Sequence, residues 1–417
     1  MAGALKDVFG EHKEPVRFYR MSLFSGVRVL DLSRMLAGPY GSMLMADLGA
    51  EVIKIEEPEG GDPMRSMGPP FLPGGESAYF LSINRNKKSV ALDLTREPGR
   101  AVFRDLAGMA DVVWDNFRPG MLAKLGADHE SLTTINPRLI SCSISAFGQD
   151  GPYRDWPAFD LALQAMGGAM SITGEEGRAP VRMGLPMGDL AGGMFGALAV
   201  AGALFRRERT GQGGVVDLSL LDCQVSLLSY LAQYFWADGK VPGPMGSGHT
   251  SVVPYQALPA RDGYLVVAVF AEKFWAGFCR ALARPDLERD PRFETNARRL
   301  ASRSTLIPLL EDLFGTRSVH EWLEDLHREG VPAAPIQSLD GVLSDPQVRH
   351  RQMVVEMSHP ALGRVPTLGT PIKVDGALGL DVVPAPRLGE HTGEVLVGLL
   401  GYPQERVDAL RAERVTV

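Results

Sequence analysis

Short apolar runs alternate with amphipathic stretches through the first half of the chain. From Val27 the sequence reads VRVLDLS, then GPYGSMLMADLGA with apolar residues at helical spacing, then EVIKIE. The alternation continues with SVALDLT, a helical stretch beginning near Pro98, VVWDNF, HESLTTI and LISCSIS. This pattern is typical of a parallel sheet covered by helices on both faces. We therefore predict a Rossmann-like α/β domain whose mainly parallel sheet has about four to six strands.

The pattern changes after Trp236. A Gly/Pro-rich loop is followed by the hairpin pattern YQALPARDGYLVVAV and by the amphipathic stretches EKFWAGFCRALA, RSTLIPLLEDLF and SVHEWLEDLHREG. These elements predict a smaller α+β domain. The predicted organisation is an N-terminal extension at 1–22, a large domain at 23–235, a small domain with linkers at 236–345, and a return to the large domain at 346–417.

Composition narrows the function classes. A length of 417 residues exceeds the roughly 250–300 at which a single core stops growing. The net charge of -7 argues against nucleic-acid binding, which needs a basic face. No apolar run of membrane-spanning length and no signal-peptide pattern is recognisable, so we expect a cytoplasmic protein with small-molecule partners and no membrane association.

Known cofactor and metal signatures are missing from the sequence. No GxGxxG follows the first strand, which disfavours a dinucleotide cofactor. Cys142, Cys223 and Cys279 form no CxxC pair, and no histidine pair has ligand spacing, so we expect neither a disulfide framework nor a metal site.

A series of motifs runs through the whole chain in a specific order. They are GVRVLDLSRMLAGPY, DLGAEVIKIEEPEGGDPMR, LSINRNKKSVALDL, DNFRPG, GQDGPY, MGDLAGG, RTGQGGVVDLSLLD, VPYQA, GVPAAPI, DPQV and PRLGEHT. Together they resemble the type III (CaiB/BaiF-like) CoA-transferase family from about Gly26 to about Leu400. The resemblance implies a large domain built from both ends of the chain, a small middle domain and an interlocked homodimer. It also implies CoA and acyl-CoA as substrates, with no permanently bound cofactor.

Asp189 opens the apolar stretch DLAGGMFGALAVAGALFRRER, which predicts a buried helix that ends at the surface. The positive end of a helix keeps a carboxylate ionised and nucleophilic. Judged from the residues alone, Asp189 is more simply a helix cap. The resemblance instead implies the catalytic nucleophile, which forms a mixed anhydride and then a CoA thioester.

Glycines near Asp189 and in a later loop are further candidates. The backbone N–H groups of Gly192 and Gly193 would stabilise an oxyanion, or the two glycines serve close packing; both interpretations stay open. In the segment GSGHTSVVPYQA, Gly246, Gly248 and His249 form a candidate substrate loop. His249 would approach the substrate carboxylate, and the alternative is a solvent-exposed loop histidine.

The resemblance also implies a binding site for CoA, which needs donors for its phosphates and an apolar slot for adenine. The implied contacts come from Arg34, Leu92, Asn116, Phe117, Gly120, Lys124 and Phe159. For Lys124 and Arg118, ordinary solvated charge is the alternative.

Several positions depart from the formyl-CoA transferase branch of the family. Arg34 and Leu36 stand where that branch has a His and a Gln, and Glu57 replaces an Arg that contacts CoA, which argues against oxalate and formate as substrates. Arg34 places a cation that suits the second carboxylate of a dicarboxylic acid, or it is a surface arginine. The segments GSGHTSVVPYQA and LSINRNKKS resemble the glutarate-type branch, which favours succinyl-CoA as donor.

Two other functions remain as alternatives. An acyl-CoA racemase of the same superfamily would need a His where this chain has Phe159, and a Glu near Ala271, where Glu272 is one residue away. A non-catalytic CoA-binding protein would have no need for Asp189 in its intact GDLAGG context.

Overall fold

The computed structural model describes residues 23–374 and 382–417, so the expected N-terminal extension at 1–22 lies outside the described residues. The chain forms two compact units. The first contains 23–157, 188–223 and the described residues from 349 onward, and the second contains 158–187 and 224–348. Residues 158–187, which the sequence pattern assigns to the large domain, therefore group with the second unit. One of their contacts there is the hydrogen bond from the N–H of Gly246 to the carbonyl of Gly174, at 2.7 Å.

The first unit is built around a six-stranded parallel sheet. Its strands are β1 (Arg28–Asp31), β2 (Glu51–Glu56), β3 (Lys87–Ala91), β4 (Val112–Asp115), β5 (Ile140–Ser145) and β6 (Gly214–Ser219). Their order is β3-β2-β1-β4-β5-β6, so the direction of winding reverses between β1 and β4. The prediction of an α/β domain with a mainly parallel sheet is confirmed.

The remaining strands form two small antiparallel sheets. In the second unit these strands are β7 (Tyr255–Ala260), β8 (Gly263–Ala268) and β9 (Ala333–Pro335), and in the first unit they are β10 (Val354–His359) and β11 (Gly363–Leu368). The predicted hairpin is therefore β7 paired with β8.

Helices connect and cover these strands. In chain order they are α1 (Ala37–Asp47), α2 (Ala78–Ile83), α3 (Glu97–Gly108), α4 (Met121–Lys124), α5 (His129–Thr133), α6 (Asp160–Met166), α7 (Ala169–Ile172), α8 (Met187–Thr210), α9 (Leu220–Leu227), α10 (Tyr230–Asp238), α11 (Glu272–Ala281), α12 (Pro285–Arg289), α13 (Asn296–Ala301), α14 (Arg303–Phe314), α15 (Val319–Arg328), α16 (Leu339–Ser344), α17 (Pro346–His350) and α18 (Gln404–Ala412). A 3₁₀ turn spans Pro63–Ser66 and a π-helical turn spans Glu394–Leu399.

Each unit has its own hydrophobic core. In the first unit, strand residues such as Leu30 and Ile53 pack with Val407 and Leu410 from the C-terminal helix α18. The C-terminal segment also bonds to the end of β3, because the N–H of Asp93 donates to the carbonyl of Val415 at 2.9 Å. Both ends of the described chain therefore build the first unit. In the second unit, α11, α14 and α15 cover the β7-β8-β9 sheet.

Helix α8 is buried on one face only, which corrects the expectation of a buried helix. Gly192, Gly193 and Gly196 pack inward, whereas Leu198 and Phe205 are 68% and 60% exposed on the outer face. Helix α8 is apolar on both faces, but the described part of the chain buries only its glycine-rich face. The length and composition of α8 would also suffice to cross a membrane, but core helices of soluble proteins share this property.

Candidate active site

The loops that follow β1, β2, β3 and β4 surround a cavity of about 240 Å³ in the first unit. Its lining consists of Leu32, Arg34, Ile55, Glu56, Glu57, Pro58, Glu59, Leu92, Asp93, Leu94, Thr95, Phe117, Leu125 and Arg414. The cavity lies at the carboxyl ends of the strands, beside the point where the strand order reverses. Open α/β sheets bind their ligands at this position. Arg34, Leu92 and Phe117, three of the expected CoA contacts, therefore share one cavity.

Arg34 is held at the cavity by its neighbours. Its backbone N–H donates to Oδ1 of Asn116 at 2.8 Å, and Nδ2 of Asn116 donates to the carbonyl of Arg34 at 2.7 Å. Its guanidinium lies 5.3 Å from the centre of the Phe117 ring and 2.9 Å from Oε1 of Glu57. Arg34 therefore has a carboxylate partner already, and a substrate carboxylate would have to displace Glu57.

The other predicted CoA contacts are not part of this lining. Gly120 precedes α4 with φ +79°, a left-handed conformation that suits glycine, and the exposed Lys124 ends this helix. Phe159 precedes α6 in the second unit and is 73% exposed.

The first turn of α8 brings Asp189 to the same edge of the sheet as the cavity. Near the C-terminus of the helix, Arg207 pairs at 2.9 Å with Asp111, the residue before β4. Further back along the helix, a side chain on Gly196 would meet the ring of Trp114, a residue of β4, at 2.7 Å. Helix α8 therefore runs antiparallel to the strands, and its N-terminal turn lies toward their carboxyl ends. The positive end of the helix acts on the Asp189 carboxylate there.

Gly192 and Gly193 lie inside α8, where helix geometry engages backbone N–H groups after the first turn. A Cβ on Gly192 would come within 2.3 Å of the Leu220 side chain, and one on Gly193 within 2.7 Å of the Ala37 carbonyl oxygen. These contacts support the close-packing interpretation of both glycines. Because Gly193 packs on the start of α1, the backbone of Asp189 lies about 6 Å from that contact along the helix axis.

Two buried lysines lie beneath the loop between β1 and α1, and the sequence reasoning missed both. Lys87 pairs with Asp31 at 3.0 Å and donates to the carbonyl of Pro39 at 2.9 Å. Lys54 pairs with Asp62 at 3.0 Å and donates to the carbonyl of Ser33 at 2.6 Å. These contacts hold the loop that carries Arg34.

The Asp31–Lys87 pair is fully buried, and its charges are strongly coupled. Burial alone would raise the pKa of Asp31, but Lys87, Lys54 and two serine hydroxyls together lower it to about 2. Burial lowers the pKa of Lys87 to about 8 in spite of the attraction of Asp31. Asp31 is therefore ionised at neutral pH.

The predicted substrate loop lines a second cavity, of about 130 Å³, within the second unit. Gly246, Gly248 and His249 all contribute to its lining. Nδ1 of His249 accepts the backbone N–H of Ser251 at 3.1 Å, and its ring stacks on Tyr230 with 5.9 Å between centres. The structure thus brings these three predicted residues together.

Glu272, the possible racemase acid, has structural partners. Its Oε1 accepts the backbone N–H of Asn296 at 2.7 Å, and its Oε2 lies 3.0 Å from Nη1 of Arg299. Its carboxylate therefore anchors α13 within the second unit, which disfavours an acid–base role. Within 23–374 and 382–417, no group of three or more His, Cys, Asp or Glu side chains is arranged to hold a metal.

Comparisons with known proteins find relatives over most of the chain. A family model described as CoA-transferase family III matches residues 24–392. The chain is 40% identical over 390 residues to the succinyl-CoA:glutarate CoA-transferase of Mus musculus, covering 94% of this chain and 89% of that protein. It is 38% identical over 385 residues to the succinyl-CoA:mesaconate CoA-transferase of Haloarcula hispanica, covering 90% and 96%. A solved CAIB/BAIF family protein from Brucella suis matches with a TM-score of 0.81 and 39% identity, covering 90% of this chain and 98% of that chain.

Proposed function

Because the chain belongs to CoA-transferase family III, we propose that it moves CoA from succinyl-CoA to a dicarboxylic acid, with Asp189 as the nucleophile. The observation that carries the proposal is the position of Asp189, in a helical first turn at the same sheet edge as the cavity of Arg34, Leu92 and Phe117. Succinyl-CoA and dicarboxylic acids also occur in the names of the two curated relatives.

In the first half-reaction, a carboxylate oxygen of Asp189 attacks the thioester carbonyl of the donor. The carbon–sulfur bond breaks, CoA leaves as a thiolate, and the acyl group stays on Asp189 as a mixed anhydride. The thiolate then attacks the aspartyl carbonyl of this anhydride. The donor acid leaves as a carboxylate, and Asp189 carries CoA as a thioester.

The second half-reaction runs these steps in reverse with the acceptor acid. Its carboxylate attacks the aspartyl thioester, CoA leaves again as a thiolate, and a new anhydride forms. Attack of the thiolate on the acceptor carbonyl releases the new acyl-CoA and restores the Asp189 carboxylate. No net proton transfer is needed, so the mechanism makes no demand for a general base.

In this proposal the cavity of the first unit holds the nucleotide end of CoA. Leu92 and Phe117 offer apolar contacts to adenine, and Arg34 offers a cation to a phosphate. Asn116 orients Arg34 through its two hydrogen bonds. Gly120 and Lys124 remain candidate phosphate contacts at the start and end of α4, and Phe159 remains a candidate contact from the second unit.

Trapping the intermediate tests the proposed mechanism. The protein is incubated with succinyl-CoA, treated with hydroxylamine, digested and analysed by mass spectrometry. We expect the mass of a hydroxamate on the peptide that contains Asp189, because hydroxylamine cleaves both anhydrides and thioesters. An unmodified Asp189 peptide in protein that still transfers CoA would contradict the covalent mechanism.

Glu57→Gln is expected to strengthen binding of acyl-CoA. The change removes a negative charge from the cavity lining and releases Arg34 from its ion pair. Because both side chains are partly exposed, we expect only about a two- to fivefold decrease in KM for acyl-CoA at low ionic strength, and less at high salt. Steady-state kinetics at two salt concentrations measures this.

The matched control for this change is Glu97→Gln. Glu97 is also paired with arginines, Arg100 and Arg104, but it is exposed and lies outside the cavity. Its replacement should leave KM unchanged. Equal responses of the two variants would argue against a CoA site at this cavity.

We further propose that the enzyme acts as an interlocked homodimer in the cytoplasm. Large apolar side chains are exposed in the isolated chain, among them Leu198 on α8, Trp236 and Leu339. Large apolar side chains that are exposed in this way suit surfaces that a partner chain covers. The three cysteines are free and buried, which suits a reducing compartment. Native mass spectrometry decides whether the protein has the mass of two chains.

A further inference from the structure

The loop at 245–253 in the second unit is held from one side by a row of side chains on α13 and α14. Nδ2 of Asn296 donates to the carbonyl of Ser251 at 2.8 Å, and Nε of Arg299 donates to the carbonyl of Val253 at 2.8 Å. Arg303 donates from its guanidinium to the carbonyl of His249. Three side chains at helical spacing therefore bind three alternate carbonyls of this loop.

This anchoring leaves the other side of the loop free to face the cavity of about 130 Å³. The cavity is lined by Gly246, Gly248, His249 and Thr250 from the loop, together with residues of α7, α10 and the segment at 242–245. The volume is well below the roughly 300–1,000 Å³ of clefts that bind drug-sized ligands. A small acid fits such a space better than a nucleotide does.

His249 and Thr250 can each donate a hydrogen bond at this cavity. Since Nδ1 of His249 accepts the N–H of Ser251, the neutral imidazole carries its proton on Nε2, which has no partner among the described residues. The hydroxyl of Thr250 is also without a hydrogen-bond partner in the described part of the chain. The lining contains no Asp or Glu. Donors without acidic neighbours suit a ligand that only accepts hydrogen bonds.

A positive charge lies directly behind the loop. A Cβ on Gly248 would be 3.1 Å from Nη1 of Arg303, so the glycine allows the guanidinium to approach the cavity wall closely. Among the described ion pairs of 23–374 and 382–417, none includes Arg303. Its charge is therefore available to an incoming anion, in contrast to that of Arg34.

We propose that this cavity recognises the second carboxylate of the dicarboxylic acid, with His249 as donor and Arg303 as the residue that positions His249 and supplies the positive charge. The inference rests on the proposed function and makes it more specific. It transfers to Arg303 the role that the sequence suggested for Arg34. The same carboxylate of a succinyl group on the donor would use the same site.

The test compares two acids that differ only by the second carboxylate, glutarate and butyrate, with succinyl-CoA as donor for both. We expect Arg303→Met to lower kcat/KM for glutarate at least about tenfold relative to butyrate, the size of a lost charged hydrogen bond. Arg303→Lys keeps the charge and is expected to recover part of the preference. An equal loss for both acids, or no loss, would overturn the proposal.

Two controls separate this outcome from other failures. Arg298→Met removes an exposed arginine of α13 that pairs with Glu294, and it should leave the preference unchanged. If Arg303→Met does not fold, His249→Gln removes the imidazole while keeping the backbone, and the same loss of preference is expected. Calorimetric titration with glutarate alone measures the affinity of this acid without turnover. The proposal therefore remains testable even if no adduct forms on Asp189. Glutarate that binds Arg303→Met as tightly as the unchanged protein would contradict it.

Discussion

Asp189→Ala is expected to abolish CoA transfer, with a fall in kcat on the order of 10⁴-fold or more. The reaction passes through two covalent species on this carboxylate, and alanine can form neither of them. The backbone of α8 remains intact because alanine is a good helix former. Transfer of CoA from succinyl-CoA to glutarate, followed by chromatography of the acyl-CoA products, measures the loss.

The competing interpretation, a helix cap, gives a different result. Loss of a cap would cost about 1 kcal/mol of stability and leave turnover unchanged. Asp222→Ala is the matched control, because Asp222 is also a carboxylate in the first turn of a helix, α9, and is exposed. Activity of Asp189→Ala close to that of Asp222→Ala would show that Asp189 is structural.

The central strands of the sheet were predictable because they are buried on both faces and read as continuous apolar runs. Strand β6 was not singled out. It lies at the edge of the sheet and alternates between half-buried and exposed residues, so no continuous apolar run marks it. The grouping of 158–187 with the second unit depends on contacts between distant residues, such as Gly174 with Gly246, which periodicity does not encode.

At the candidate site, the features that the sequence could not predict also depend on contacts between distant residues. Leu92, Arg34 and Phe117 follow three different strands, and the parallel topology explains why one cavity collects them. The pairing of Arg34 with Glu57, however, depends on rotamers and loop paths that the sequence pattern does not contain. Arg303 was passed over although it stands in the segment NARRLASR, where Asn296, Arg299 and Arg303 share one helical face. That spacing was a signal for the row of side chains that holds the substrate loop.

The buried ion pair of Lys87 and Asp31 is the largest structural feature that the sequence analysis did not predict. The motif NRNKKS contributed to the family resemblance, but its two lysines have opposite environments because successive strand residues point to opposite faces. Lys87 is fully buried with Asp31, whereas Lys88 is partly exposed and pairs with Glu51 and Glu394. This difference leads to the second prediction with a large effect.

Lys87→Met is expected to lower the free energy of unfolding at pH 7 by about 3–5 kcal/mol, because it leaves the Asp31 carboxylate buried without its main partner. Lys88→Met, at the neighbouring position, is the matched control. It breaks only partly exposed ion pairs and should cost at most about 1 kcal/mol. Urea unfolding followed by circular dichroism measures both values.

The pH dependence distinguishes loss of charge compensation from loss of packing. In the unchanged protein the pKa of Asp31 is lowered to about 2, so its stabilising contribution is present above the unfolded pKa of about 4 and disappears as the pH falls toward 2. Without Lys87, burial raises the pKa of Asp31, and the folded state takes up a proton as the pH falls. The loss of stability caused by Lys87→Met should therefore be smaller at pH 5 than at pH 7.

Adding Asp31→Asn to Lys87→Met should also recover part of this deficit in stability at pH 7, because the buried position is then neutral. A deficit that is the same at both pH values, and that Asp31→Asn does not reduce, would indicate that Lys87 contributes through the packing of its methylene chain instead.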